Sequence, residues 1–336
     1  MQNIVRTLFV GDGAADASLI RRFEDRFPGL RVTADTDPSH ESRRSRRSGV
    51  RLVRHTGSFV KPFPNHPWYG MGGCDFSLVL GYNCFCSCAY CFIQTIFKDR
   101  TPTIYANTSN MITELAAFLD ANPEAWISTG EYLDSFQLDD VTRTNDSLFD
   151  VFDCHPQTTL ELRTKIDNVE HLPADPPGNI LVTWSINPAE VIDRLEPGTA
   201  HLEKRLELAG ALRERGYRVA LRLDPIIPTG EFAGAYRQLP ATIERRLGWS
   251  EIDRVFMGIL RFDNALLERM SRLPNAALLL DAEFVLCPDG NYRPHSLARR
   301  ETYRTIAAMI RHFAPNVPIS LTMEPDYIRR SLIDPA

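Results

Sequence analysis

From residue 75 onward the chain alternates short apolar, strand-like runs with helical patterns, and this restricts the possible folds more than any other feature. The strand candidates are DFSLVLG, AWIST, TTLELRTK, NILVTWSIN, YRVALRLDPIIP and DRVFMGILRF. Helical stretches fall between them. The clearest is TAHLEKRLELAGALRERG, where Leu202, Leu206 and Ala209 share a face, Thr199 is placed to cap the start and Gly216 to stop the end. Strand–helix units in succession imply βαβ repeats and a parallel sheet, so the class is α/β. An open or partly closed barrel is the natural geometry, with chemistry at the C-terminal ends of its strands.

The flanks read differently. Residues 1–70 form a small N-terminal α/β segment (strand VRTLFV, helix DASLIRRFEDRF, strand LRVTA), followed by the basic connector DTDPSHESRRSRRSGVR. Within it Arg43, Arg44, Arg46 and Arg47 suit a solvated linker or a grip on phosphate. Residues 71–262 would make the barrel, and residues 263–336 a C-terminal extension capping it: a helix, a hairpin around FVLCPDGNYRP, a long helix through ARRETYRTIAAMIRHF and a last strand, PISLTME. No apolar run approaches the twenty residues of a membrane span. The start, MQNIVRTLFVGDG, lacks the basic and apolar regions of a secretory signal. The expected compartment is the reducing cytoplasm, where clustered cysteines favour metal binding or catalysis over disulfides. A net charge of −5 argues against a broad phosphate-binding surface.

Four of the seven cysteines crowd into LGYNCFCSCAYCFIQ. Cys84, Cys88 and Cys91 have the spacing C-x3-C-x2-C, with Cys86 inside the window. Three thiolates from one loop can hold three irons of a [4Fe-4S] cubane and leave the fourth iron without a protein ligand. S-adenosylmethionine can chelate that iron through its amino and carboxylate groups, accept one electron and break its S–C5′ bond. The alternative is a zinc site built from all four thiols, although zinc sites commonly use two separated pairs. Under the iron reading, Cys86 points away, serves as an alternative ligand or acts as a functional thiol. Cys74, Cys154 and Cys287 are isolated, and His155, His171, His295 and His312 show no ligand spacing.

The loop resembles the radical S-adenosylmethionine superfamily, and its surroundings resemble the spore photoproduct lyase family. The resemblance rests on FVKPFPNHPWYG, CSCAYCFIQT, LRTKIDNVEHL, VTWSINPAEVIDRLEPGT, LRLDPIIPTGE and DAEFVLCPDGNYRP, in the family's order. It implies a partial (β/α)6 TIM-type barrel. It implies that Tyr90 lies along the adenine and that Lys165 and Ser185 meet the methionyl carboxylate. It also implies that Gly130 and Glu131 form the glycine–glutamate element, with Glu131 accepting from the methionyl ammonium. Asp224, with Arg222 on the same side of its strand, is either a cofactor-facing group or half of a structural pair.

Two positions depart from the pattern. Spore photoproduct lyases return a hydrogen atom from a cysteine just after the second barrel strand, in a segment like CTSD, where this chain has EYLD at 131–134. They also carry a tyrosine after the last cluster cysteine, where this chain has Phe92. The expectation is therefore a radical enzyme acting on a nucleoside or nucleotide-type small molecule, making or rearranging a C–C or C–heteroatom bond, as in nucleoside antibiotic biosynthesis. Glu131 and Tyr132 are its candidate catalytic residues, and flavodoxin or ferredoxin its electron donor. The first alternative is repair of a thymine-dimer photoproduct in DNA, with Cys86 or Tyr132 donating hydrogen. The second is a non-catalytic, zinc-stabilised nucleic-acid binder using the Arg43–Arg47 run.

Overall fold

The computed structural model describes residues 5–14, 16–35, 48–63 and 74–332, so the Arg43–Arg47 run lies outside the described residues. The chain opens with β1 (Thr7–Val10), a helix at Ala17–Arg26 and β2 (Arg31–Ala34). The helix begins where the Asp16 carboxylate accepts the Leu19 N–H at 2.8 Å, satisfying one donor of the first turn. Its buried face carries Leu19 and Phe23. Next come β3 (Gly49–Val53), β4 (Val60–Pro62), β5 (Phe76–Leu78), β6 (Gly81–Tyr82) and β7 (Thr103–Tyr105).

The first sheet has the order β2-β1-β3-β7-β6, which corrects the sequence reading twice. The end of the expected connector is a buried strand, with Val50 and Leu52 fully covered and Arg51 held between Asp35 (3.0 Å) and Asp99 (2.6 Å). The strands β6 and β7, on either side of the cysteine loop, also join this sheet instead of the barrel. Both are too short for periodicity to assign, and only their pairing partners define them.

The barrel strands follow: β8 (Trp126–Ser128), β9 (Thr159–Thr164), β10 (Ile180–Ser185), β11 (Arg218–Ile226) and β12 (Ile252–Ile259). A hairpin of β13 (Phe284–Leu286) and β14 (Tyr292–Pro294) precedes β15 (Ile319–Leu321). The second sheet runs β15-β12-β11-β10-β9-β8-β5-β4 and is parallel except for β4. The six strands read from the sequence are successive neighbours, as βαβ repeats require. Every residue of β10 is buried, as expected for a central parallel strand covered on both faces. The sheet is a curled half-barrel with edges at β4 and β15. Pro62 and the exposed Lys61 on β4 suit an edge, where a missing N–H costs nothing and a charge discourages further pairing.

Both edges cross the boundaries drawn at 71 and 262, since β4 precedes the first and β15 follows the second. The C-terminal segment thus contributes a barrel strand as well as the expected helices, at Asn264–Ser271 and Ser296–Phe313. Thr199 is not the helix cap. The helix spans Leu202–Glu214 behind His201, and the Thr199 hydroxyl donates to the Glu196 carbonyl at 2.7 Å. Gly216, at φ +91°, ends it as expected. Among the described residues no helix is long and apolar enough to cross a membrane.

Candidate active site

A cavity of about 560 Å³ opens at the C-terminal ends of the barrel strands. The half-barrel supplies its walls in chain order: Gly130 and Glu131 after β8, Lys165 after β9, Ser185 closing β10, Asp224 near the end of β11 and Arg261 after β12. The cysteine loop closes one side with Cys84, Cys88, Tyr90 and Cys91. All ten residues singled out in the sequence, Tyr132 included, line this one cavity, although they span 140 positions from Cys84 to Asp224. Cys86 and Phe92 line it as well.

The loop is held from beneath. Gly81 permits its entry, because a Cβ there would sit 2.1 Å from the Thr103 carbonyl oxygen. Asn83, at φ +67°, turns the chain and donates to the Asp99 and Thr101 carbonyls at 2.9 and 3.1 Å. Further on, Ser87 N–H donates to Pro197 O (2.9 Å), Ala89 N–H to Leu195 O (2.8 Å) and the Cys86 thiol to Gly198 O (3.3 Å). The cysteines therefore rest on the segment 195–198, which follows β10 and its short helix at Ala189–Leu195. Of the three options for Cys86, this geometry gives a thiol that faces the cavity lining yet is tied to backbone.

Glu196 is the hub of that segment. It is fully buried in its side chain and accepts from Arg205 (2.6 Å), Asn187 (2.9 Å) and the Tyr90 hydroxyl, with the Lys165 ammonium at 3.4 Å. Burial alone would raise its pKa, but Lys165 and Arg205 hold it well below the ordinary carboxylate range. Tyr90 is thereby fixed by its hydroxyl, and Lys165 Nζ donates to the same oxygen at 3.2 Å and lies 5.6 Å from the ring centre. The ring that sequence reasoning gave to adenine thus has an ammonium against it, and the lysine given to a carboxylate has an internal counter-ion.

A second carboxylate hub sits deeper. Glu161, with no exposed surface, bridges Arg163 (3.0 Å) and Arg222 (2.9 Å). Burial pushes its pKa up, but the two guanidiniums outweigh that and bring it down to about 2. Arg163 reaches on to Glu131 (3.1 Å) and to the Cys74 sulfur (2.8 Å), so Cys74 is not isolated, and burial pushes that thiol up to about 11. Arg222 lies 3.6 Å from Asp224, which also meets Arg261 (2.9 Å) and Thr322 (2.8 Å). Asp224 is therefore part of a structural ion network, the second of its two sequence readings, while still facing the cavity. Gly130 is required by packing: at φ +86°, a Cβ would lie 2.7 Å from Ser135 Oγ and 2.9 Å from Arg163 Cβ.

Sequence reasoning did not assign Glu161, Arg163, Glu196, Arg205 or Arg261. A signal existed for the first two, because Glu161 and Arg163 are two apart on one strand and must share a face. Asp134 was also missed. It accepts Lys165 N–H (2.7 Å) and the Thr164 hydroxyl (2.9 Å), tying the loop after β8 to the end of β9. The histidines lie elsewhere: His171 pairs with Asp139 at 2.7 Å, and His155 binds the Val151 carbonyl.

The donor set fits an iron–sulfur cubane. Burial pushes Cys91 up to about 11 and Cys88 well above the ordinary thiol value, so thiolates there call for a metal to stabilise them. Among the described residues no three His, Cys, Asp or Glu side chains converge where a single ion would sit, the arrangement a four-thiolate zinc site needs. A cubane instead takes one thiolate per iron.

The family model for spore photoproduct lyase matches residues 69–284. The chain belongs to the spore photoproduct lyase family. A family member from Geobacillus sp. (strain Y412MC61) is 24% identical over 177 residues, about half of each chain. Another, from Bacillus subtilis (strain 168), is 24% identical over 259 residues, 71% of this chain and 73% of that one. Among solved structures, spore photoproduct lyase complexed with dinucleoside spore photoproduct superposes with a TM-score of 0.82 at 18% identity, over 96% of this chain and 100% of that chain. A variant of that enzyme with bound AdoMet and the dinucleoside gives 0.79 at 19% identity, over 94% and 97%. These superpositions establish the partial-barrel fold.

Proposed function

We propose that the chain is a radical S-adenosylmethionine enzyme that acts on a dinucleoside photoproduct of the thymine-dimer type. The observation that carries the first half is the meeting of the C-x3-C-x2-C thiols with Tyr90, Glu131, Lys165 and Ser185 around one cavity. Cys84, Cys88 and Cys91 would hold a [4Fe-4S] cluster. Tyr90 and Lys165, locked by Glu196, would present a ring edge and an ammonium to the methionyl and adenosyl groups, and Ser185 a hydroxyl donor. Glu131, already accepting from Arg163, would receive the methionyl ammonium. When bound, the cluster and S-adenosylmethionine supply a carbon radical able to abstract hydrogen.

The relatives solved with dinucleoside spore photoproduct favour repair of a DNA photoproduct over nucleoside antibiotic biosynthesis as the finer reading. Hydrogen return then falls to a group other than the cysteine and the tyrosine that are absent at the two departed positions. Cys86 and Tyr132 both line the cavity and carry an S–H and an O–H. Burial raises the Tyr132 pKa, which keeps its proton in place. A cytoplasmic flavodoxin or ferredoxin would deliver the electron.

Anaerobic reconstitution should give a brown protein with about four irons, as in a cubane. With dithionite and S-adenosylmethionine it should release 5′-deoxyadenosine and convert a spore-photoproduct dinucleotide to the plain thymine–thymine dinucleotide, the bond between the bases breaking and the phosphodiester staying intact. Radical formation without dinucleotide turnover, but with turnover of a mononucleoside, would return the small-molecule reading. A colourless zinc protein would remove both.

A further inference from the structure

Gln94 lies in the short helix Ile93–Ile96 that follows the last cysteine of the loop. Its side-chain amide nitrogen donates to the Cys88 carbonyl, and its backbone N–H donates to the Cys91 carbonyl at 3.2 Å. On the other side its amide oxygen accepts from Arg269, and at 3.3 Å from Arg100, which also reaches the Gln94 carbonyl at 3.4 Å. One neutral residue thus ties two guanidiniums, 169 positions apart in sequence, to the carbonyls of two cluster cysteines, Cys88 through its side chain and Cys91 through its backbone.

Neither guanidinium pairs with a carboxylate among the described residues, whereas their neighbour Arg272 pairs with Glu268. Burial and the adjacent Arg100 charge lower the Arg269 pKa, while Cys91 acts to raise it. Arginine stays protonated at any working pH, so the loop carries two uncompensated positive charges in a chain of net charge −5. Holding like charges together without a counter-ion is unfavourable unless a negative group is to be placed beside them.

We propose that Gln94, Arg100 and Arg269 are positioning residues that set the reduction potential of the cluster held by Cys84, Cys88 and Cys91, by stabilising its more negative, reduced state. The proposal rests on the cluster reading above. Net charge and hydrogen bonding around a cubane are two of the levers that fix its potential. Gln94 serves the first by fixing the cations beside the loop, and it braces the loop through the Cys88 carbonyl. Reduction adds one electron to the cluster, and a nearby cation favours that product over the oxidised form.

The test is a redox titration of the anaerobically reconstituted full chain without S-adenosylmethionine, reading the reduced-cluster paramagnetic signal against applied potential. At the native midpoint, Arg100→Gln or Arg269→Gln should lower the reduced-to-oxidised ratio about threefold, and the double variant about tenfold, each tenfold step being 59 mV for one electron. Arg269→Lys, which keeps the charge, should stay within about twofold of the native ratio. Arg100 is exposed, so its variant tests the proposal even where the Arg269 variants fold poorly. An unchanged ratio in a double variant with full iron content overturns the proposal. An unchanged ratio with weakened dinucleotide binding also overturns it and gives the cations to substrate phosphates. Native protein that takes up no iron and gives no reduced signal overturns the cluster reading itself, and this proposal with it.

Discussion

Two buried carboxylates, Glu196 and Glu161, organise different parts of the lining of the same cavity. Glu196 gathers a guanidinium, an amide, a phenol and an ammonium. Two of these partners, Tyr90 and Lys165, line the cavity themselves. Glu161 gathers only guanidiniums, and each of them spans onward to a second carboxylate, Glu131 or Asp224. The first hub fixes individual groups beside the cysteine loop. The second ties β9 and β11 into one ion network across the floor. A buried carboxylate stays charged only where its surroundings are fully complementary. Removing either hub should therefore damage different properties, depending on which partners are released.

The largest effect should come from the floor. Glu161→Ala leaves Arg163, Arg222 and Arg261 with only Glu131 and Asp224 between them, one buried positive charge uncompensated, and chemical denaturation should show a loss of about 3–5 kcal/mol. The native pKa of Glu161, about 2, lies below its ordinary 4.5, so its contribution is complete above the ordinary value and fades as pH falls from about 5 toward 2. The native protein should lose about 3 kcal/mol over that window, and the variant should show a flatter acid limb. Equal slopes for both would mean that Glu161 is not charged in the fold.

A smaller and more selective effect is expected at the loop. Lys165→Ala should weaken S-adenosylmethionine binding about tenfold, roughly one charge-assisted contact, with little change in iron content. Equilibrium binding to reconstituted protein would measure it. If affinity holds while stability falls, Lys165 serves only to neutralise Glu196, and the two hubs are alike. The smallest effect should follow Tyr90→Phe, which removes one of the hydrogen bonds on Glu196 and should cost about 1 kcal/mol by thermal unfolding. A loss as large as that of Glu161→Ala would show that the phenol, and not Arg205, anchors the hub.

Legibility in the sequence followed the length scale of each feature. The six barrel strands and the long helices were readable because their apolar periodicity is local and extends over several residues. The cysteine spacing was readable because its thiols lie within one loop. β3 and β7 were not, because β3 ends a charged connector and β7 lies outside any longer apolar run, so that only their pairing partners define them. Arg205 shows the limit most clearly. It lies beside Leu206 on the helix Leu202–Glu214 and is wholly buried, yet a charged residue next to an apolar stripe reads as a solvated edge. The end of β10 at Ser185 and the segment 196–200, which supply all of its hydrogen-bond acceptors among the described residues, make that position interior. The departures at Phe92 and at 131–134 were legible as absences, and Cys86 and Tyr132 as groups that could act instead, but that both line the cavity was not.

The order of elements, the alternation that demands a parallel sheet, and the C-x3-C-x2-C spacing of three thiols were written in the chain itself, since each depends on neighbours a few residues apart. The counter-ion given to each buried charge, the sheet joined by each short strand, and the guanidiniums brought against the cysteine loop were decided by tertiary structure. Electrostatics and strand pairing act between groups close in space, and a parallel half-barrel brings together residues that the sequence keeps far apart.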